Sequence, residues 1–225
     1  GIDGIDFWVE VPPDEHGRQV SGEYTTSSTA NSKGRAEAVI KQHVNWLAPD
    51  EKVLAEETRT IRAQIGAIAD ASVLTWQLAL RPAVGREAME LWGRHYFGLG
   101  MRFVESMDGG NSQFFTAGDA KGTPVRGTEK LTRADWCAVH GEVQGKPVTV
   151  AMFDAGDNPR HPAAWFTMTS PFAYLAATLE LHEKPLVVAR EEPLACRYGL
   201  ALWDGTIGKD EIQKAYETWL KLSGK

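Results

Sequence analysis

Two-residue alternation of apolar and polar side chains, broken again and again by turn residues, limits this chain more than any other feature. In SVLTWQLALRP, Leu74, Trp76, Leu78 and Leu80 alternate with Thr75, Gln77 and Arg81, the period of a strand with one face buried. KPVTVAMFD is apolar on both faces, as in a strand covered from both sides. AEAVIKQHVNWL, EKVLAEETRTIRAQIG, HYFGLGMRFVE, PLVVAREE and LACRYGLALWDG continue the series. APDE, MDGGN, EVQGKP and WDGTIG separate the strands with turn chemistry. EVQGKP, between WCAVHG and VTVAMF, predicts a hairpin loop. Strands of this kind must bury one face against a second layer, which predicts an all-β, antiparallel β-sandwich.

One segment has a different period. In GKDEIQKAYETWLKLSGK, Ile212, Ala215, Tyr216, Trp219 and Leu220 fall on one helical face, with Asp210 and Glu211 in the first turn and Lys221 in the last. A C-terminal α-helix over 209–223, packed on the outside of a sheet, is expected. The 225 residues show no internal repeat, low-complexity segment or linker, so one sandwich domain over 1–225 is expected. The chain opens abruptly in strand-like sequence, so N-terminal strands or a leader could precede it.

Composition narrows the partners. The net charge is −6 and no Lys/Arg stripe offsets it, which argues against nucleic acid and anionic membrane. No apolar run is long enough to span a bilayer. Cys137 and Cys196 could pair or be two free buried thiols; spacing does not decide. His16, His43, His95, His140, His161 and His182 form no H-x-x-x-H or H-E-x-x-H pair, and no G-x-S-x-G elbow occurs. No metal site and no cofactor are expected, the compartment is open, and so is homo-oligomerisation.

The densest polar cluster lies in FDAGDNPRHPAAWF, where Asp154, Asp157, Asn158, Arg160 and His161 crowd around two prolines. Pro159 and Pro162 fix their own φ and keep Asn158 and His161 out of the helical region. A stiff loop with these groups suits a polyol. In that reading His161 is the general acid or base, Asp154 its carboxylate partner, and Asn158 and Arg160 the groups that orient hydroxyls. The same residues also suit a structural turn in which carboxylates cap amides and Arg160 is ion-paired. Arg102, mid-strand in GLGMRFVE, is either a buried ion pair or a ligand clamp. Trp136 and His140 are four apart on RADWCAVHG and share a strand face. Trp8, Trp136, Trp165 and Trp203 sit near strand ends or turns, where indoles either stack on sugars or fill a core.

GIDFWVE, FGLGMRFVESM, RADWCAVHGEVQGKPVTVAMFD, NPRHPAAW, SPF and CRYGLALWDG occur in that order from about Gly4 to Gly205. In this the chain resembles the PmoA-like family of predicted secreted bacterial proteins, called methane oxygenase by label only. The chain departs from the family pattern at Asp154, Ala155 and Gly156, where members show Asp-His-Pro, and at Trp165 to Met168, where they carry Trp-His-x-Arg. The resemblance implies a galactose-mutarotase-like supersandwich, a secreted or periplasmic location and a carbohydrate-related role. It also implies a small-molecule sugar site on the concave sheet face, with Arg102, Trp136, Asn158, Arg160 and His161 at matching positions. From the residues alone, His140, on the strand face of Trp136, and Trp165, near a strand end, are further candidates for sugar contact. The expected activity is acid–base chemistry on a sugar or glycoside. The alternatives are a sandwich that only binds carbohydrate and a structural domain. The oxygenase label conflicts with the sequence, which has neither long apolar spans nor a histidine cluster.

Overall fold

The computed structural model describes residues 1–9, 15–31, 34–118 and 120–223. Its strands are β1 Arg18–Ala30, β2 Ala36–Leu47, β3 Val53–Ile68, β4 Ala71–Pro82, β5 Ala88–Leu91, β6 Gly98–Arg102, β7 Gln113–Thr116, β8 Thr123–Pro124, β9 Lys130–Arg133, β10 Trp136–Val143, β11 Lys146–Asp154, β12 Ala164–Met168, β13 Tyr174–Thr178, β14 Leu186–Ala189 and β15 Leu194–Asp204. One helix, α1 Lys209–Ser223, follows. All strand pairings are antiparallel. The large sheet has eight strands in the order β1-β2-β3-β4-β15-β11-β10-β7, and the small one five in the order β6-β13-β12-β9-β8. β14 and β5 form a separate ribbon, which Ile2 joins by bridging to Leu91. The expected antiparallel sandwich with a C-terminal helix is therefore present.

Each period in the sequence now has a cause. β11 is apolar on both sides because it is covered on both. Met152 packs with Cys137, Trp165, Leu175, Cys196 and Tyr198 in the layer between the sheets. Its neighbours Ala151 and Phe153 face the other way, under Ile212, Ala215, Tyr216 and Trp219 of α1. Trp219 is fully buried and its Nε1 donates to Thr75 Oγ1 at 3.0 Å. Gly199 makes room for it, since a Cβ there would lie 2.6 Å from the indole. The loop in EVQGKP is a two-residue turn between Val143 and Lys146. Gln144 and Gly145 have φ of 53° and 76°, both left-handed, as a turn matching the twist of a hairpin requires.

The cysteines are both free and buried. Burial raises the Cys137 thiol and pushes Cys196 to about 12. Neither thiol is expected to react with a disulfide reagent in the folded protein, whereas both should react in denaturant. With its pKa raised, Cys196 contributes stability that is full below the ordinary thiol value and is lost as pH rises from about 9 through about 12. Rapid labelling of either thiol under native conditions would contradict the packing. Among the described residues, no helix is long and apolar enough to cross a membrane.

Candidate functional site

The polar loop leaves β11 at Asp154 and rejoins the small sheet at β12. Asp154 is in register with Tyr198, so its carboxylate lies on the inner face of the large sheet, 1% exposed. Its Oδ1 accepts from Asn158 Nδ2 at 2.6 Å, and its Oδ2 accepts from the Ala163 N–H at 2.8 Å and lies 2.7 Å from His161 Nδ1. Burial raises the Asp154 pKa, against the opposing pull of those hydrogen bonds. Asn158 also donates to the Arg197 carbonyl at 2.8 Å and accepts the Arg197 N–H at 2.7 Å. Arg160 has a left-handed φ of 62°. Its guanidinium donates to the carbonyls of Leu179, Glu180, Lys184 and Pro185. His161 Nε2 faces the half-exposed Asp135 at 3.5 Å. Nearly every donor and acceptor of the loop is thus used on the protein itself, tying β11, β15 and the 179–185 segment together.

The open cleft lies elsewhere. A cleft of about 550 Å³ separates the arm of the large sheet from β6, an edge of the small sheet. Gln19, Trp46, Glu57, Arg59, Trp76 and Leu78 line the arm side, Gly98, Gly100, Arg102 and Tyr174 the other, and Phe7, Trp8 and Phe97 close it. Glu57 and Arg59 are two apart on β3, so both point inward. The Glu57 side chain is 1% exposed, and a carboxylate buried that far needs partners. Its Oε1 accepts from Arg59 Nε at 2.6 Å; its Oε2 accepts from Arg59 Nη2 and from Trp46 Nε1, each at 2.9 Å. Arg59 Nη2 also donates to Gln19 Oε1 at 3.0 Å, and the guanidinium lies 5.1 Å from the Trp76 ring centroid. This is a pre-oriented polar pair set among indoles.

A family model matches residues 1–217. The chain belongs to DUF6807, a family of unknown function. No curated protein matches it. Both the cleft and the Asp154 network lie inside the DUF6807 match. Its description gives neither a PmoA-like nor a mutarotase-like name.

Among the site residues predicted for this DUF6807 chain, Arg102 lines the cleft, and so does Trp8, one of the indoles read as sugar platform or core. The arginine is not buried, because β6 is a sheet edge. Arg102 is exposed at its end, with the guanidinium 4.1 Å from the Phe172 ring centroid. Convergence of Arg102, Trp136 and His161 on one concave face is not found. Arg102 is opposite Tyr174, which is opposite Met168; Ala164, three residues after His161, is opposite Thr178, which is opposite Gly98. Arg102 and His161 therefore stand at opposite ends of the small sheet. Trp136 and His140 do share a strand face, but it is the one turned to the helix side. Trp136 is 1% exposed and donates to Gln213 Oε1 at 2.8 Å; His140 Nε2 lies 3.0 Å from the Ile207 carbonyl. Trp165 is core, fully buried, with its Nε1 donating to the Ala134 carbonyl at 2.7 Å. Among the described residues, no group of three His, Cys, Asp or Glu side chains is placed to hold a metal ion.

Sequence reasoning missed Gln19, Trp46, Glu57, Arg59 and Trp76 as a set. The one available signal was the i, i+2 spacing of Glu57 and Arg59 in EETRTIR, which puts opposite charges on one strand face. It looks like a solvated pair until the small sheet is in place.

Proposed function

We propose that this DUF6807 protein binds a carbohydrate in the cleft between the arm of the large sheet and β6. The observation that supports this is the Glu57–Arg59 pair, locked by Trp46 and Gln19 and set beside Trp76. Aromatic walls with a few convergent, fixed polar groups suit a polyol. The apolar ring faces take its C–H surface and the oriented groups take its hydroxyls, with little ordering cost on binding. The PmoA-like and mutarotase-like resemblance favours the same ligand class. Acid–base chemistry by His161 has less support, since His161 is bonded to Asp154 and does not line the cleft. Glu57, already accepting from Arg59 and Trp46, is suited to orienting a ligand.

A panel of mono- and disaccharides, followed by calorimetry and tryptophan fluorescence, tests the reading. Binding should quench the cleft indoles. Trp46→Ala and Glu57→Gln should each weaken affinity by about tenfold or more, the loss of one charge-assisted or stacking contact. His161→Ala should leave affinity within about twofold, as expected of a residue outside the cleft. A panel in which no sugar binds, or in which Trp46→Ala binds as the parent does, would overturn the proposal. Product formation that disappears in His161→Ala would return the acid–base reading to first place.

A further inference from the structure

We infer that the cleft's ligand is an acidic sugar, a uronate whose carboxylate docks on Arg102 and Tyr174 at the β6 rim. The inference rests on the cleft being a sugar site and concerns only which sugar. Arg102 and Tyr174 are cross-strand partners on β6 and β13, so their side chains stand side by side on one sheet face. Both are donors that lack an acceptor among the described residues. Arg102 forms no ion pair there; its guanidinium lies over the Phe172 ring, 4.1 Å from the centroid. That ring covers one face of the guanidinium and leaves its N–H edge, the part that grips a carboxylate in its own plane.

Tyr174 is 7% exposed, and its hydroxyl is itself buried and has no hydrogen-bond partner, a costly state that a carboxylate would relieve once the side chains over the hydroxyl give way to it. Gly100 makes the hydroxyl's position available, because a Cβ there would lie 1.8 Å from it. Burial, then the nearby Tyr96, raises the Tyr174 pKa, so the phenol keeps the proton it would donate.

The charge of the lining agrees. Its charged side chains are Glu57, Arg59 and Arg102. Glu57 is neutralised by Arg59, which leaves the positive charge of Arg102, in a molecule whose net charge is −6. A uronate differs from its parent hexose by a carboxylate in place of the hydroxymethyl group. It offers two acceptor oxygens and one negative charge to two donors and one positive charge.

The test compares methyl galacturonate with methyl galactoside and methyl glucuronate with methyl glucoside by calorimetry, with the 6-phosphates of the two hexoses as a second kind of anion. The uronate of at least one pair should bind about tenfold tighter than its neutral partner, the usual advantage of a charge-assisted over a neutral hydrogen bond. The preference should shrink as salt rises. Arg102→Gln should bring the acid-to-neutral ratio close to one, and Tyr174→Phe should lower it by a smaller factor. Arg102 is exposed, so its variant should melt as the parent does. Equal affinity for acid and neutral sugar, or a preference that survives Arg102→Gln, overturns the inference and leaves the sugar site standing. Binding of the 6-phosphates as tight as that of the uronates overturns the choice of carboxylate. Binding of no sugar at all overturns the cleft reading and the inference together.

Discussion

Asp154→Ala is expected to lower unfolding stability by about 3–5 kcal/mol, the range for breaking a buried charged network by removing one member. The carboxylate accepts from Asn158 and from the Ala163 N–H and pairs with His161. Its loss strands the buried Ala163 N–H, removes one of the two acceptors of the Asn158 amide and leaves the half-buried His161 without its carboxylate, at about 1–3 kcal/mol for a buried group left unsatisfied. A domain stable by only about 5–15 kcal/mol is then close to its limit. His161→Ala should cost less, about 1–2 kcal/mol, because it removes one partner at a half-buried edge. Urea midpoints of the two variants check the order. A harmless Asp154→Ala would mean that the network does not hold the loop.

The pH dependence of this group has a definite sign. Burial raises the Asp154 pKa above its unfolded value, so as pH falls the native state takes up this proton before the unfolded state does. The contribution of Asp154 is fully present below the unfolded carboxylate value and is lost as pH rises through the folded value. The stability gap between the parent and Asp154→Asn, which cannot titrate, should therefore widen as pH is lowered toward about 4.

Trp219→Ala should cost about 3–5 kcal/mol, the loss expected when a large buried aromatic leaves a cavity. The ring is fully buried, lies 5.7 Å from Phe153 and 6.3 Å from Tyr216 between centroids, and satisfies Thr75. Gly199, with no side chain, cannot refill the space. Because α1 packs on the sheet face opposite the cleft, the variant should lose near-ultraviolet signal and melting temperature while sugar affinity, measured well below the new melting point, stays near that of the parent. A loss of less than about 1 kcal/mol would mean that the helix is not held by this side chain. A large loss of affinity would mean that the two faces of the sheet are coupled.

The candidate site was much less legible in the sequence than the fold, and single residues show why. The Asp154–His161 loop has a composition that serves a ligand site and a structural tie equally well. Only the distances reveal that Asn158 and Arg160 are already bonded to backbone carbonyls. Glu57 and Arg59 drew no attention as site residues because nothing near them in sequence says that a second sheet approaches. Arg102 looked buried because its chain neighbours are apolar, but position at a sheet edge is a property of strand order.

Local periodicity determined β2, β3, β4, β6, β11, β14 and β15, the EVQGKP hairpin that adds β10, the two-sided cover of β11 and the amphipathic face of α1, because alternation and the helical repeat depend on residues within one segment; β1, β12 and β13 were not read from it. Alternation does not say which layer each face meets. Trp76 and Trp136 both lie on alternating strands, yet Trp76 is in register with Tyr198 and lines the cleft, whereas Trp136 is in register with Phe153 and lies under the helix. Strand pairing across long stretches of chain made that choice. It set the parity of every inward side chain at once, and it built the cleft from residues on β1, β2, β3, β4, β6 and β13 that no local pattern connects.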